Sequence, residues 1–124
     1  MQDKRPVNLD MATIKLPLPA LVSILTRVSG VFLFVGMAVL LYMLDASLAS
    51  ESSFEGLRRT LATVPAKLVI WAIVSVLIYH VAAGVRHLLA DLGIGETLRG
   101  GILGARLTLS AAALGIFLAG LWIW

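Results

Sequence analysis

Three long apolar runs divide the chain and decide what it can fold into. They cover residues 18–44, where a single arginine interrupts the run, 68–85 and 107–124, and a bilayer crossing takes about 20 such residues. Of the 124 residues 60% are hydrophobic and 14% are charged, whereas a soluble domain has about 25% charged residues. The sequence therefore predicts an all-α membrane protein with three transmembrane helices. We expect one domain over residues 1–124, with spans at approximately 18–46, 66–90 and 104–124.

The charged residues predict the orientation of these spans. With three crossings, the N-terminal arm and the second connection lie on the same side of the membrane. That side has seven of the cations, Lys4, Arg5, Lys15, Arg27, Arg86, Arg99 and Arg106, and the other side has Arg58, Arg59 and Lys67. Because positive residues favour the inside, we expect a cytoplasmic N-terminus. The cations flank the spans and form no dense patch, so nucleic acid is not an expected partner.

Aromatic residues support the same orientation, and small residues predict a helix contact. Tyr42, Trp71, Trp122 and Trp124 all fall at the outer ends of their spans, where amphipathic rings prefer to lie. The third span has small residues at intervals of four, Ala111, Gly115 and Ala119, a spacing that allows close helix packing in lipid. There are no cysteines, which excludes disulfides, thiolate metal sites and iron–sulfur ligation within this chain.

One histidine lies inside the otherwise uncharged second run. A polar group without a partner costs several kcal/mol in hydrocarbon, so His80 needs a reason. It could bond to a backbone carbonyl of a neighbouring helix, belong to a proton relay, or bind haem iron. Gly84, His87 and Asp91 follow on the same helix face. Gly84 could serve helix packing or make room for a flat ligand.

The two histidines of the chain cannot both be axial ligands of one iron. His80 and His87 are seven residues apart, roughly 10.5 Å along one helix, whereas axial ligands approach from opposite faces of the haem. A second histidine ligand would come from another chain. His87 lies near the membrane surface, where with Arg86 it could pair with a haem propionate, or it could be an interfacial histidine in water.

A second polar position lies in the first span. Arg27 is one or two turns inside the predicted cytoplasmic end, and Ser23 is one turn before it. The arginine could extend to the interface, or the Arg–Ser pair could bind the polar head of an apolar ligand. The predicted topology places Arg27 and His80 in one leaflet at similar depth, which favours a shared site.

Several stretches resemble one family. The segments are residues 5–10, residues 23–30, and residues 79–91 with the pattern His-x-x-x-Gly-x-Arg-His-x-x-x-Asp. With the three-span layout they strongly resemble the cytochrome b556 family, one of two membrane anchors of succinate dehydrogenase, respiratory complex II. The resemblance covers nearly the whole chain. It implies a bacterial inner-membrane subunit that takes part in aerobic respiration and the tricarboxylic acid cycle.

The resemblance also implies partners, cofactors and site residues. A second three-helix anchor subunit would share a haem b with this chain, and His80 matches the axial ligand given by this subunit. Ser23 and Arg27 match ubiquinone-site residues, and Arg86 and His87 match positions near the haem propionates. A flavoprotein would oxidise succinate, and an iron–sulfur subunit would pass the electrons to ubiquinone. The chain would thus be part of an enzyme whose succinate chemistry lies in another subunit.

One position departs from the family pattern, and other functions stay open. Thr26 stands where many members have a histidine near the propionates, and it can donate a hydrogen bond but cannot carry charge. Thr26, Gly84 and Asp91 are possible minor site residues. The alternatives are a haem-free quinone-binding anchor, in which His80 only joins helices, and a small proton channel or transporter subunit with Arg27, His80 and Asp91 as its polar pathway. A purely structural scaffold is less attractive because Arg27 and His80 match in depth.

Overall fold

Four α-helices make up the computed structural model, which describes residues 7, 9, 10 and 12–124. They are α1 (Leu18–Ala49), α2 (Glu51–Leu61), α3 (Val64–Asp91) and α4 (Leu98–Ile123), and no strand occurs among the described residues. Helices α1, α3 and α4 are long and apolar enough to cross a membrane. The predicted all-helical, three-span fold is therefore confirmed.

Helix α3 lies between α1 and α4 and makes most of the contacts in the bundle. Very little of the chain is fully buried: the core cluster consists of Val22, Ala83 and Ala105. Large apolar side chains point outward instead, and Phe34 and Trp122 are more than four-fifths exposed. In a bilayer such side chains contact lipid tails or another subunit, so exposure here does not oppose folding.

Small side chains on α4 let it approach α3 closely. Ala105, Thr108 and Ala112 are buried in the contact, and a Cβ added to Gly115 would lie only 2.9 Å from Cγ2 of Ile78. These four positions follow one face at the true helical period of 3.6 residues. The interface therefore depends on the absence of bulk along this face.

The small-residue stripe predicted from sequence is only partly correct. Gly115 does lie in the contact and Ala119 is half-buried, but Ala111 is exposed. A strict interval of four advances 400° per step, so it turns by about 40° away from a fixed face each time. Near the level of Ala111, the residues of α4 that contact α3 are consequently Thr108 and Ala112.

Aromatic residues join the start of α3 to the end of α4. The Trp71 indole Nε1–H donates to the carbonyl of Ile116 at 3.0 Å, and the rings of Trp71 and Trp124 meet edge to face with centroids 6.0 Å apart. The absence of a side chain at Gly120 makes room for Trp71. Trp71 and Trp124 thus lie at the same end of the bundle.

Helix α2 was not predicted, because the residues between the first two spans were expected only to connect them. The Ser50 hydroxyl accepts a hydrogen bond from the amide of Ser53 at 3.1 Å, which caps the helix start. Glu51 lies in the first turn, and Arg58 and Arg59 lie in the last. Charges in these positions interact favourably with the helix dipole and stabilise the helix. One side is apolar and the other charged, which is typical of a helix that lies in the membrane interface.

The turn from α3 to α4 depends on glycine. Gly93 and Gly95 have φ angles of 82° and 81°, a region that side chains disfavour. The Thr97 hydroxyl accepts from the amide of Gly100 at 3.0 Å and caps α4. A Cβ on Gly100 would lie 2.8 Å from the Cα of Gly95. Because of this tight turn, α4 begins at Leu98, six residues before the predicted start of the third span.

Candidate functional site

The His80 ring on α3 lies against α1. Its Nδ1 is 2.7 Å from the hydroxyl oxygen of Ser29, a residue that is 6% exposed. A Cβ added to Gly30 would lie 3.5 Å from Cε1 of His80, so the ring packs beside this glycine. His80 does bond to a neighbouring helix as one interpretation expected, but to a hydroxyl and not to a backbone carbonyl.

A second contact of Ser29 fixes which atom gives the proton. The Ser29 hydroxyl donates to the carbonyl of Thr26 at 2.6 Å. A carbonyl has no hydrogen of its own, so the single hydroxyl proton must lie in that contact. The 2.7 Å contact with His80 therefore needs the Nδ1–H of the ring as its donor. In a neutral imidazole, Nε2 is then the nitrogen with a bare lone pair.

That lone pair is not buried within the described part of the chain. Among the residues that the structure describes, Nε2 of His80 has no hydrogen-bond partner, and no buried side-chain nitrogen or oxygen lacks a partner. It follows that Nε2 is accessible. A neutral imidazole with one nitrogen bonded and the other free has the form of a metal ligand.

Gly84 leaves the surface next to His80 open. It lies one turn further along α3, and a Cβ added there would meet nothing within 4 Å. Gly84 thus has no role in packing against the described helices of this chain. The geometry leaves both interpretations that the sequence allowed, with space at Gly84 for a flat ligand or for a helix of a second chain.

Two hydroxyl groups converge on the carbonyl of Val22. The Tyr79 hydroxyl donates to it from α3 at 2.8 Å, and the Thr26 hydroxyl donates to it from the same helix at 2.8 Å. The proton of Thr26 is therefore used within α1. Tyr79 and His80 together hold α3 against the N-terminal half of α1.

Arg27 and Ser23 lie on α1 close to the level of His80. Arg27 is two residues from Ser29, about 3 Å along the helix axis, and Ser29 contacts His80 directly. Arg27 is exposed and Ser23 half-buried. Across the described part of the chain, neither forms a hydrogen bond or an ion pair. Arg27 and His80 therefore lie at similar depth in the structure. The side chains of Arg27 and Ser23 are both available to a ligand.

Arg86 lies on another side of α3. Its Nε would be 3.6 Å from a Cβ added to Gly104 of α4. Six residues along a helix rotate the side-chain direction by about 120° relative to His80. Arg86 lines an apolar groove of about 520 Å³ between α3 and α4.

His87 is half-buried and shares the His80 face, and Asp91 is exposed at the end of α3. The structure therefore joins His80 to α1 and Arg86 to α4.

Sequence reasoning missed Ser29. The residue was visible two positions after Arg27, but a serine in an apolar helix commonly bonds to its own backbone. Only the crossing of α1 and α3 shows that it meets His80. The described residues contain no group of three or more His, Asp or Glu side chains that could hold a metal. Any metal bound through His80 would need further ligands from elsewhere.

These features define a multi-pass membrane protein in which Nε2 of His80 is neither buried nor hydrogen-bonded among the described residues. A family model described as the succinate dehydrogenase/fumarate reductase transmembrane subunit matches residues 1–123. The chain is 39% identical to the succinate dehydrogenase cytochrome b556 subunit of Coxiella burnetii over the full length of both proteins. It is 31% identical to the subunit of the same name from Paracoccus denitrificans, over 73% of this chain and 70% of the relative.

The chain therefore belongs to the family of succinate dehydrogenase/fumarate reductase transmembrane subunits. The resemblance drawn from its sequence motifs is confirmed. It is a membrane subunit of an oxidoreductase complex, and it spans the membrane through α1, α3 and α4.

Proposed function

We propose that this chain is the haem b-binding membrane anchor of a succinate:ubiquinone oxidoreductase. One observation carries the proposal: His80 gives its Nδ1–H to Ser29 and leaves Nε2 free beside the open position of Gly84. A relative that matches over its full length is named a cytochrome, which supports a haem. The anchor would sit in a bacterial inner membrane with its N-terminus in the cytoplasm, as its cation distribution favours.

His80 would hold the haem iron through Nε2, and a second histidine ligand would come from another anchor subunit. Bound haem would supply one-electron transfer by cycling between its ferric and ferrous forms. Gly84 leaves room for a flat ring, and His87 lies on the same face near the membrane surface, where it could donate to a propionate. Arg86 would reach a propionate only if its side chain left Gly104, so we assign His87 the main propionate contact. Thr26 and Asp91 would have minor roles.

Ser23 and Arg27 would bind the ubiquinone head group. The Ser23 hydroxyl can donate to one quinone carbonyl, and Arg27 has five N–H donors that stabilise negative charge as it develops on the oxygen. Ubiquinone takes up two electrons and two protons to become ubiquinol. An iron–sulfur subunit would deliver the electrons, and a flavoprotein would remove them from succinate, which becomes fumarate. This chain would bind and orient the quinone and anchor both partners.

Replacement of the proposed ligand tests the haem assignment. In the assembled complex we expect His80→Ala to remove the low-spin reduced haem b spectrum while the flavin content stays unchanged. Ser75→Ala is the matched control, because Ser75 is a polar residue of α3 whose hydroxyl bonds only to the carbonyl of Trp71 in its own helix. An unchanged reduced spectrum in His80→Ala would show that the ligand assignment is wrong.

Replacement of Arg27 tests the quinone site. We expect Arg27→Leu to lower ubiquinone reduction at least about tenfold, since loss of one charge-stabilising donor commonly costs a factor of 10² or more. Succinate oxidation with a soluble electron acceptor should stay at the wild-type rate. Arg27→Lys, which keeps the charge, should retain more activity than Arg27→Leu. Wild-type quinone reduction in Arg27→Leu would mean that the side chain only extends to the interface.

A haem-free quinone-binding anchor is the second candidate function. The observation in its favour is that Ser29 already gives the His80 ring a hydrogen-bond partner without any metal. The reduced-minus-oxidised spectrum of the purified complex separates the two candidates. No observation favours the proton-channel or transporter interpretation now that the family is known.

A further inference from the structure

We propose that Ser29 is a positioning residue that fixes the tautomer of His80 and lowers the reduction potential of the haem held by it. The inference rests on the proposed function, in which Nε2 of His80 is an iron ligand. Ser29 would not touch the iron or the quinone. It would act through the imidazole, by accepting the Nδ1 proton on the side opposite to the ligating nitrogen.

The first support is the order of the hydrogen bonds. The Ser29 proton is taken by the carbonyl of Thr26 at 2.6 Å, so the serine oxygen can only accept from His80 across 2.7 Å. With the proton held on Nδ1, the lone pair stays on Nε2. Without an acceptor at Ser29, the proton could move to Nε2, and the accessible nitrogen would then be unable to bind a metal.

The second support is that Ser29 differs from the other hydroxyls of the bundle. The hydroxyls of Thr26, Ser75 and Thr108 each donate to the carbonyl four residues earlier in their own helix. Within the described parts of α1, α3 and α4, Ser29 has the only hydroxyl that bonds to a side chain of another helix. In lipid, a serine hydroxyl needs only the bond to a carbonyl of its own helix to have a hydrogen-bond partner. The additional bond to His80 therefore requires its own explanation.

The third support is burial. Ser29 is 6% exposed, and the His80 ring packs beside Gly30, where even an added Cβ would lie 3.5 Å from Cε1. Water therefore has little access to the Nδ1–H and cannot easily replace the hydroxyl as acceptor. A ligand histidine that donates its other N–H becomes a more basic ligand. A more basic ligand favours ferric over ferrous iron and so lowers the potential.

The test is a potentiometric titration of the haem in the assembled complex. We expect Ser29→Ala to shift the reduction potential to a more positive value, beyond the error of the titration, and to change the g-values of the low-spin ferric haem in electron paramagnetic resonance. Ser29→Thr keeps the hydroxyl and should stay near the wild-type values. Ser75→Ala removes a hydroxyl that contacts no histidine and should leave potential and g-values unchanged.

Two further variants keep the outcomes distinct. If Ser29→Ala retains no haem, Ser29→Cys, which keeps a similar volume but accepts hydrogen bonds weakly, must show the positive shift. A wild-type potential in Ser29→Ala, or in Ser29→Cys when the alanine variant lacks haem, overturns the role of Ser29. If His80→Ala keeps the haem spectrum, the proposed function itself fails. Loss of haem in His80→Ala together with an unshifted Ser29→Ala would leave the ligand assignment standing and refute only the further inference.

Discussion

Substitution of Gly115 by alanine should loosen the contact between α3 and α4. The new Cβ would lie 2.9 Å from Cγ2 of Ile78, at least about 0.6 Å closer than carbon atoms prefer. Isoleucine has essentially one side-chain rotamer in a helix, so Ile78 cannot turn aside and the two helices must separate. Overpacking of this kind costs typically about 1–3 kcal/mol.

The matched control is the same substitution at Gly84, where the added Cβ meets nothing within 4 Å. Both variants exchange glycine for alanine inside a helix, which favours each helix by roughly 1 kcal/mol. That gain cancels when the two are compared. We therefore expect Gly115→Ala to be less stable than Gly84→Ala by about 1–3 kcal/mol, and Gly84→Ala to be at least as stable as the wild type.

The assay is titration of the full chain in mild detergent with sodium dodecyl sulfate. Trp71 and Trp124 are in contact across α3 and α4, so tryptophan emission reports the separation of these helices. The midpoint should fall for Gly115→Ala and not for Gly84→Ala. Equal midpoints for the two alanine variants would show that the close approach of Gly115 to Ile78 does not limit the packing.

Two further substitutions probe the outer aromatic contact and the open surface. Trp71→Phe removes the donor to the Ile116 carbonyl and should cost about 1 kcal/mol in the same titration, followed by circular dichroism because this variant lacks one tryptophan of the reporting pair. Trp122→Phe, at an 88% exposed position, should cost much less by the same signal, and equal costs would contradict the structure. Gly84→Leu should leave the free energy of unfolding of the isolated chain within about 1 kcal/mol of the wild type. It should, however, reduce the haem-to-flavin ratio of the assembled complex. An unchanged ratio would mean that neither haem nor a second subunit lies over Gly84.

Hydrophobic length made the three spans predictable, whereas the finer structure depended on contacts between helices. Helix α2 was missed because its eleven residues are too short and too polar for a span. Its signals were local, namely the Ser50 cap and the Glu51 and Arg58 charges at opposite ends. The early start of α4 was missed because it depends on glycine conformations that a hydropathy pattern does not contain.

The site was predictable in its parts and not in its connections. The position of His80 in an apolar run revealed a polar group that needs a partner, and Arg27 was placed at the same depth from topology alone. The identity of the partner, Ser29, depends on how α1 crosses α3, and no spacing within one helix encodes that crossing. Arg86 and His87 are adjacent in sequence but lie on different sides of α3, because successive residues of a helix are rotated by about 100°.

The bond between Ser29 and His80 lies entirely within one chain. The imidazole therefore loses its rotational entropy when this subunit folds, and not when a complex assembles around it. A binding group that is already oriented has less entropy left to lose on association. If His80 binds haem as proposed, the subunit would offer an already oriented ligand before any neighbour arrives, and the crossing of two helices would help to set the order of assembly.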